Sequence, residues 1–476
     1  MTVLDYTQLN AADIAELIAK REVSPVEIIK KHLERIDKIN PKINAFITVL
    51  HDDAMNQAKR AEEKLVKGET IGPLHGVPMA FKDLTPVNGV RTTFGSPIFK
   101  DFVPVHEPSI VKRIRASGAI IVGKTNTPEF GHKGTTDNPL IGATKNPWNL
   151  SLTAGGSSGG SGAAVASGCV PLAEGSDGGG SIRIPASFNG IVGFKPTYGL
   201  VPNDSNPTNR FGSTQPFVHY GPLARTVKDA ALMFSVMQGH EPDDPFSMPG
   251  LNEDIMSLVE EDIKGLRIAY TPDFGLYEVD SEVKQVMDRA VQNFRHMGAT
   301  VEEVSIDYGM TLKEMVSFFN KMWFAGLAAG FAEKFQQSPE RFSTTVGEMI
   351  EEGMRISGVE LRQTEVLRTR IWTQTRSILT THQLLLSPTL AVPAFHYEKI
   401  GPNTINGKKI AQISDWMMTQ IFNITGQPAI SIPAGLSSTN LPIGMQLAGN
   451  RFSDSMVLKA ANAYEKNFGP FERPAI

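Results

Sequence analysis

Residues Val170–Pro185, VPLAEGSDGGGSIRIP, decide the reading of the fold. An apolar run ends abruptly in three consecutive glycines and a serine. Glycine is needed where backbone takes positive φ or approaches a ligand closely, so the stretch reads as a buried strand running into a tight turn. The same texture extends outward from Pro73 to about Gly199. PMAFK (Pro78–Lys82), AIIVGK (Ala119–Lys124) and VGFKP (Val192–Pro196) are short apolar runs set between glycine-rich turns. Runs without polar alternation suit strands covered on both faces. Glu107–Ser117, between two of them, has helical spacing.

Further out the pattern changes period. Thr7–Asn40 reads as two amphipathic helices, the second opened by Ser24 as N-cap and Pro25 at the first helical position. A third helix covers Asp53–Lys67. Ser281–Met297 places Val283, Val286, Ala290 and Phe294 on one face, and a long helical stretch runs from Thr311 to about Thr380. Strands return at Leu266–Thr271, Thr300–Ile306, QLLLSPT, AISIPA and PIGMQLAG. Strands alternating with helices predict the α/β class, an α/β/α sandwich around one large mixed β-sheet. One domain over residues 1–476 is the preferred count: a helical segment (1–70), a core (73–225) and the rest of the sheet with pocket helices and loops (226–476). Asn203–Pro216, Glu241–Asn252 and His396–Lys409 read as loops.

Composition narrows the function. The chain has 476 residues, 41% of them hydrophobic, which supports a sizeable core. A net charge of −4 argues against a nucleic-acid partner. The one cysteine, Cys169 in GAAVASGCV, reads as a buried space-filler and suits a reducing compartment. No secretory leader and no membrane span are expected, so the expected location is cytoplasmic. There is no H-E-x-x-H and no Cys/His cluster, so neither metal nor cofactor is expected.

Two motif matches fail on context. Gly118–Thr125, GAIIVGKT, fits the phosphate-loop pattern, but its variable positions read as the strand itself, with Lys124 and Thr125 just past its end. Gly155–Gly159, GGSSG, fits a nucleophile elbow, but the preceding NPWNLSLT reads as loop and no histidine has a catalytic setting.

Three segments stand together: Lys82 ending GVPMAFK, Ser157 and Ser158 in TAGGSSGGSG, and Ser181 in EGSDGGGSIRIP. Both glycine–serine runs sit in apolar, packed sequence, unlike a flexible linker. They point to a site built from backbone N–H groups. The chain resembles the amidase signature family through Gly155–Ser161, Gly175–Pro185 and their spacing to Lys82. LHGVPMAFKD, GFKPTYGLVP, TGQPAISIPAG and LPIGMQLAG extend the likeness over nearly the whole chain. It looks closer to aryl-acylamide and nylon-oligomer amidases than to the glutaminase subunits of tRNA-dependent amidotransferases.

The resemblance implies a hydrolase cleaving amide C–N bonds, with Ser181 as nucleophile. Ser157, after a cis peptide, is the bridging serine, and Lys82 the ultimate base. The N–H groups of Gly178, Gly179, Gly180 and Ser181 would form the oxyanion hole, and Ser158, Asp177 and Arg183 would hold the loops. Gly178 departs from the bulkier apolar residue often found there, which should loosen the loop. The chemistry agrees: a serine needs a base, and lysine serves only when burial keeps it neutral.

For the acyl pocket the family implies Gly131–Thr135, including Gly131, His132 and Thr135. Phe319 and Trp323 in FFNKMWF circle a helix instead of keeping to one face, which fits a core helix or a wall for a bulky apolar substrate. Met417 and Met418 beside Trp416 could add to that wall. FFNKMWFAGLAAGF is nearly uncharged, which disfavours a glutaminase subunit handling zwitterionic glutamine. The expected partner is a small amide, with monomer and homodimer both open. Carbamate or ester hydrolysis on the same triad, a glutaminase subunit and a non-catalytic binding protein are the alternatives.

Overall fold

Successive residues of a strand point to opposite faces, and here both faces are apolar. Met79, Phe81 and Ile121 enter one core, completed by Ile110 and Ile114 of helix Ser109–Ala116 and Ala230 and Phe234 of helix Val227–Met237. Ala80, Ile120 and Val122 enter another, against Ile29, Leu33 and Ile36 of helix Pro25–Ile43 and Ala163 and Ala164 of helix Gly159–Ala166. Helices therefore cover both faces of the sheet, giving the α/β/α arrangement. The computed structural model describes residues 5–211 and 217–476.

The sheet has eleven strands: β1 Phe46–Val49, β2 Pro78–Lys82, β3 Ile120–Thr125, β4 Leu172–Asp177, β5 Val192–Lys195, β6 His219–Ala224, β7 Arg267–Tyr270, β8 Thr300–Glu303, β9 Leu384–Pro388, β10 Ala429–Leu436 and β11 Pro442–Gly449. Their order is β1-β3-β2-β4-β6-β5-β10-β11-β9-β7-β8. β2 runs parallel to β3 and β4, and β7 to β8 and β9; the remaining pairs are antiparallel. The carboxyl ends of β2 and β4 thus lie side by side, the edge where open α/β sheets place their ligands.

Ser24 Oγ accepts from Val26 N at 3.0 Å at the start of helix Pro25–Ile43, as predicted. That helix runs through Pro41 and stops at Asn44, in the left-handed region. The long helical stretch is three helices, Leu312–Gln337, Thr344–Arg355 and Gly358–Ile378. Pro339 interrupts the first gap, and capping boxes at Thr311/Glu314 and Ser357/Glu360 open the first and third.

Three readings need correction. Lys124 and Thr125 are the last residues of β3, fully buried, not just past its end. Asn149–Thr153 is a strand, paired with Lys145–Asn146 in a separate two-stranded sheet. His396–Lys409 contains a small hairpin, Thr404–Ile405 with Lys408–Lys409. Of Asn203–Pro216, residues 203–211 form no helix or strand, and 212–216 lie outside the described residues. Among the described residues no helix is long and apolar enough to cross a membrane.

Candidate active site

Lys82 is the last residue of β2, and its side chain is fully buried. Its Nζ meets Ser157 Oγ at 2.7 Å, Ser176 Oγ at 3.0 Å and Ser176 O at 3.3 Å. Burial pushes the ammonium well below the ordinary lysine range, against the opposing pull of Glu174 and Asp177. A neutral amine fits three such neighbours: it accepts one hydroxyl proton and donates twice.

Ser157 follows a cis peptide from Gly156. It is 2% exposed, whereas Ser181 is half-buried and lines a cavity. Ser158 ties the two glycine loops together: its N–H donates to Ser181 O at 3.2 Å and its hydroxyl to Ser176 O at 3.3 Å. Among the described residues no histidine ring bonds either Ser157 or Ser181, so the elbow reading gains no partner.

The loop from Asp177 to Arg183 hangs on one buried ion pair. Asp177 Oδ2 accepts from Arg183 Nε at 3.0 Å and Oδ1 from Arg183 NH2 at 3.1 Å. Burial alone pushes this carboxyl up, but Arg183 overrides it and holds the group well below the usual aspartate range. Arg183 also reaches Thr419 O, Gln446 Oε1 and Asn423 Oδ1.

One expected donor is already committed. Gly180 N–H donates to Asp177 Oδ1 at 2.6 Å, so it is not free for an oxyanion. The N–H groups of Gly178, Gly179 and Ser181 donate to none of the described residues. Gly180 has φ +131°, and a Cβ there would stand 2.0 Å from Thr419 Oγ1.

Gly178 has a different reason to be glycine. A Cβ would meet Trp323 Cζ3 at 2.5 Å and Cη2 at 2.8 Å. The indole occupies the space that a bulkier residue would fill. The missing side chain therefore does not loosen the loop; it lets Trp323 pack against it.

The cavity at Ser181 is lined by Gly131, His132, Gly179, Phe319, Trp323 and Met417, among others. A Cβ on Gly131 would stand 3.2 Å from Ser157 Oγ. Thr135 does not line the cavity; its backbone packs under Gly156. Met418 and Trp416 are fully buried and do not line it either. Burial lowers the His132 pKa to about 4, so the ring is neutral; Nδ1 bonds Glu129 O at 2.7 Å, leaving Nε2 without a partner among the described residues. Lys133 is the one charged side chain among the described lining residues, and it pairs with Asp137 at 2.7 Å.

Sequence reasoning missed Ser176, Thr419, Asn423 and Gln446. Ser176 sits in the GSD run and was findable from β4's alternation, two residues on from Glu174. The other three lie more than 200 positions from Asp177 and carry no local signal. Asp204, Glu241 and Asp243 bring carboxylates together elsewhere, but Ser109, Arg113 and Arg210 already engage them.

Comparison with known proteins agrees with this geometry. The amidase family model matches residues 27–458. An acylamidase from Rhodococcus erythropolis is 36% identical over 467 residues, covering 98% of this chain and 96% of that protein. The A component of the glutamyl-tRNA(Gln) amidotransferase from Carboxydothermus hydrogenoformans is 36% identical over 495 residues, covering 98% of each chain. The crystal structure of a bacterial aryl acylamidase of the amidase signature enzymes superposes with a TM-score of 0.92 at 33% identity, covering 97% of this chain and 96% of that one. With sequence and fold matched from end to end, the chain belongs to the amidase family.

Proposed function

We propose that this chain hydrolyses the C–N bond of small, mostly apolar carboxamides through an acyl-enzyme on Ser181. The observation that carries the assignment is the contrast between the two serines. Ser181 borders the cavity, while Ser157 lies buried behind it with its hydroxyl 2.7 Å from Lys82 Nζ.

Ser157 takes the proton of Ser181 while passing its own to neutral Lys82. Ser181 Oγ then bonds to the substrate carbonyl carbon, and the oxygen gains the negative charge. The N–H groups of Gly178, Gly179 and Ser181 stabilise that oxyanion, usually the largest catalytic contribution. On collapse the C–N bond breaks, and Lys82 returns the proton through Ser157 to the leaving amine. A water, activated by the same relay, releases the acid. Ser158, Asp177 and Arg183 hold the two loops in register.

For this chain, the likeness to an acylamidase and to an aryl acylamidase supports acyl anilides and related apolar amides as substrates. The amidotransferase relative supports a second reading, glutamine hydrolysis. Glutamine would require an acid for its ammonium and a free cation for its carboxylate. The described lining residues offer no acid, and Lys133 is already paired. Phe319, Trp323, His132 and Gly131 instead fit an uncharged acyl or aryl group. Carbamates and esters suit the same machinery. The three parts of the chain act as one domain, and the single buried cysteine suits a cytoplasmic enzyme.

A fluorophosphonate tests the assignment. It should label one residue, Ser181, by mass spectrometry. Label on Ser157 instead overturns the proposal.

A further inference from the structure

Behind Lys82 lies a buried cluster that the reaction does not touch. Glu174 on β4 is fully buried. Its Oε2 accepts the Lys82 backbone N–H at 3.0 Å, and its Oε1 accepts from Thr85 Oγ1 at 3.1 Å. The Thr85 carbonyl accepts from Lys124 Nζ at 2.5 Å, and Lys124 Nζ lies 3.5 Å from Asp83 Oδ1. Lys124, the lysine of the rejected phosphate-loop match, is thus an internal counter-ion. Lys82, Asp83, Lys124 and Glu174 are all fully buried.

An uncompensated charge in such a place is heavily penalised, so a low net charge is favoured. Two lysines and two carboxylates, all ionised, sum to zero. Making Lys82 a base removes one positive charge. The cluster then carries a net negative charge unless a carboxylate takes up a proton. Asp83 faces Lys124 and accepts both the N–H and the hydroxyl of Thr93. Among the described residues the oxygens of Glu174 accept only from an amide N–H and a hydroxyl.

We propose that Glu174 is a positioning residue that sets the pH at which Lys82 becomes available as a base: its carboxylate charge favours the protonated lysine, and its protonation releases the neutral amine. The inference rests on Lys82 being the base. Its local geometry allows both states. With Glu174 protonated on Oε1, the Thr85 hydroxyl accepts instead of donating, and the Lys82 N–H stays on Oε2. Burial pushes the Glu174 carboxyl up as it pushes Lys82 down. The other groups facing the pair are Asp177 towards Lys82, Lys124 towards Glu174, and the Tyr220 phenol on β6, which burial keeps neutral.

The test is the pH dependence of kcat/KM for an acyl anilide, and of fluorophosphonate labelling at Ser181, in Glu174→Gln. Glutamine keeps an acceptor for the Lys82 N–H but cannot carry the charge that favours protonated Lys82. The low-pH limb of both profiles should move to lower pH by roughly one unit. A limb that stays or moves up overturns the proposal, whatever the change in rate. If Glu174→Gln does not fold, Thr85→Val removes the hydrogen bond that favours ionised Glu174. It should move the limb the same way by less, and a stationary limb again overturns the idea. Lys82→Ala separates the two levels. Retained amide turnover there sinks the base assignment itself; lost turnover with a fixed limb in Glu174→Gln sinks only the role of Glu174.

Discussion

Two walls meet at Ser181, and different forces hold them. The loop from Asp177 to Arg183 hangs on a fully buried ion pair and on bonds to Thr419, Asn423 and Gln446. The opposite wall, on helix Leu312–Gln337, is held by packing. Phe319 and Trp323 stack with centroids 5.9 Å apart and 15° between planes, and Trp323 Nε1 is buried without a partner among the described residues. Charge-assisted bonds are directional and fix atoms; apolar contacts tolerate exchange if volume is kept. In the proposed mechanism the first wall therefore sets whether the reaction runs, and the second sets what enters.

The comparison breaks most visibly at Lys82, on the polar side. Lys82→Ala should lower amide kcat/KM by about 10²–10⁴-fold or more, because the proposed base belongs to a coupled relay. The loss should be smaller for a matched ester, whose alkoxide leaves with less help from a proton. Lys82→Arg should not rescue, since guanidinium stays charged. In the proposed mechanism neutral lysine is the active form, so activity should rise with pH and level off below the ordinary lysine pKa of about 10.4. Near-wild-type amide turnover by Lys82→Arg would remove Lys82 from the mechanism.

Next comes the ion pair. Asp177→Ala leaves Arg183 buried and uncompensated, and should destabilise the fold by about 3–5 kcal/mol in urea unfolding. The sign with pH follows from the lowered aspartate. Its contribution is full above the unfolded value of about 3.9 and drains away as pH falls below it. Unchanged stability in Asp177→Ala would mean that packing, not charge, holds this loop.

What the sequence disclosed follows the same division. Lys82 ending an apolar run and the two glycine–serine loops are local patterns, and the structure brings their residues together. The strand ends were legible because glycine and proline punctuate them. The commitment of Gly180 N–H to Asp177 was not, since four consecutive amides look equivalent until the carboxylate's direction is known. Asn423 and Gln446 reach Arg183 from 240 and 263 positions away, and no local periodicity encodes that. Glu174 was hidden in a run that reads as apolar. Gly178 was visible only as an oddity, because its reason is a ring on a helix far along the chain.

That oddity supplies the smallest and most selective prediction, where the two walls touch. Gly178 does not have positive φ, so its backbone admits alanine without conformational strain. Among the described residues the only obstacle is Trp323, whose Cζ3 would lie 2.5 Å from the new methyl group. Gly178→Ala should therefore act through the indole: a destabilisation of about 1–3 kcal/mol from overpacking, and an altered ratio of anilide to aliphatic amide turnover. The Gly178 N–H remains in place, so the catalytic loop itself is spared. Trp323→Leu alone opens the wall and should cost some anilide preference. Combined with Gly178→Ala it should recover stability, because the methyl group then occupies space the indole has vacated. A coupling of about 0.5–3 kcal/mol between the two sites is the expected signature of contact. Additive effects, or alanine at 178 tolerated without change beside an intact Trp323, would show that the ring moves freely and that Gly178 is glycine for another reason. Coupling in stability together with a shifted substrate ratio would show that the loop's missing side chain belongs to the pocket wall as much as to the oxyanion site.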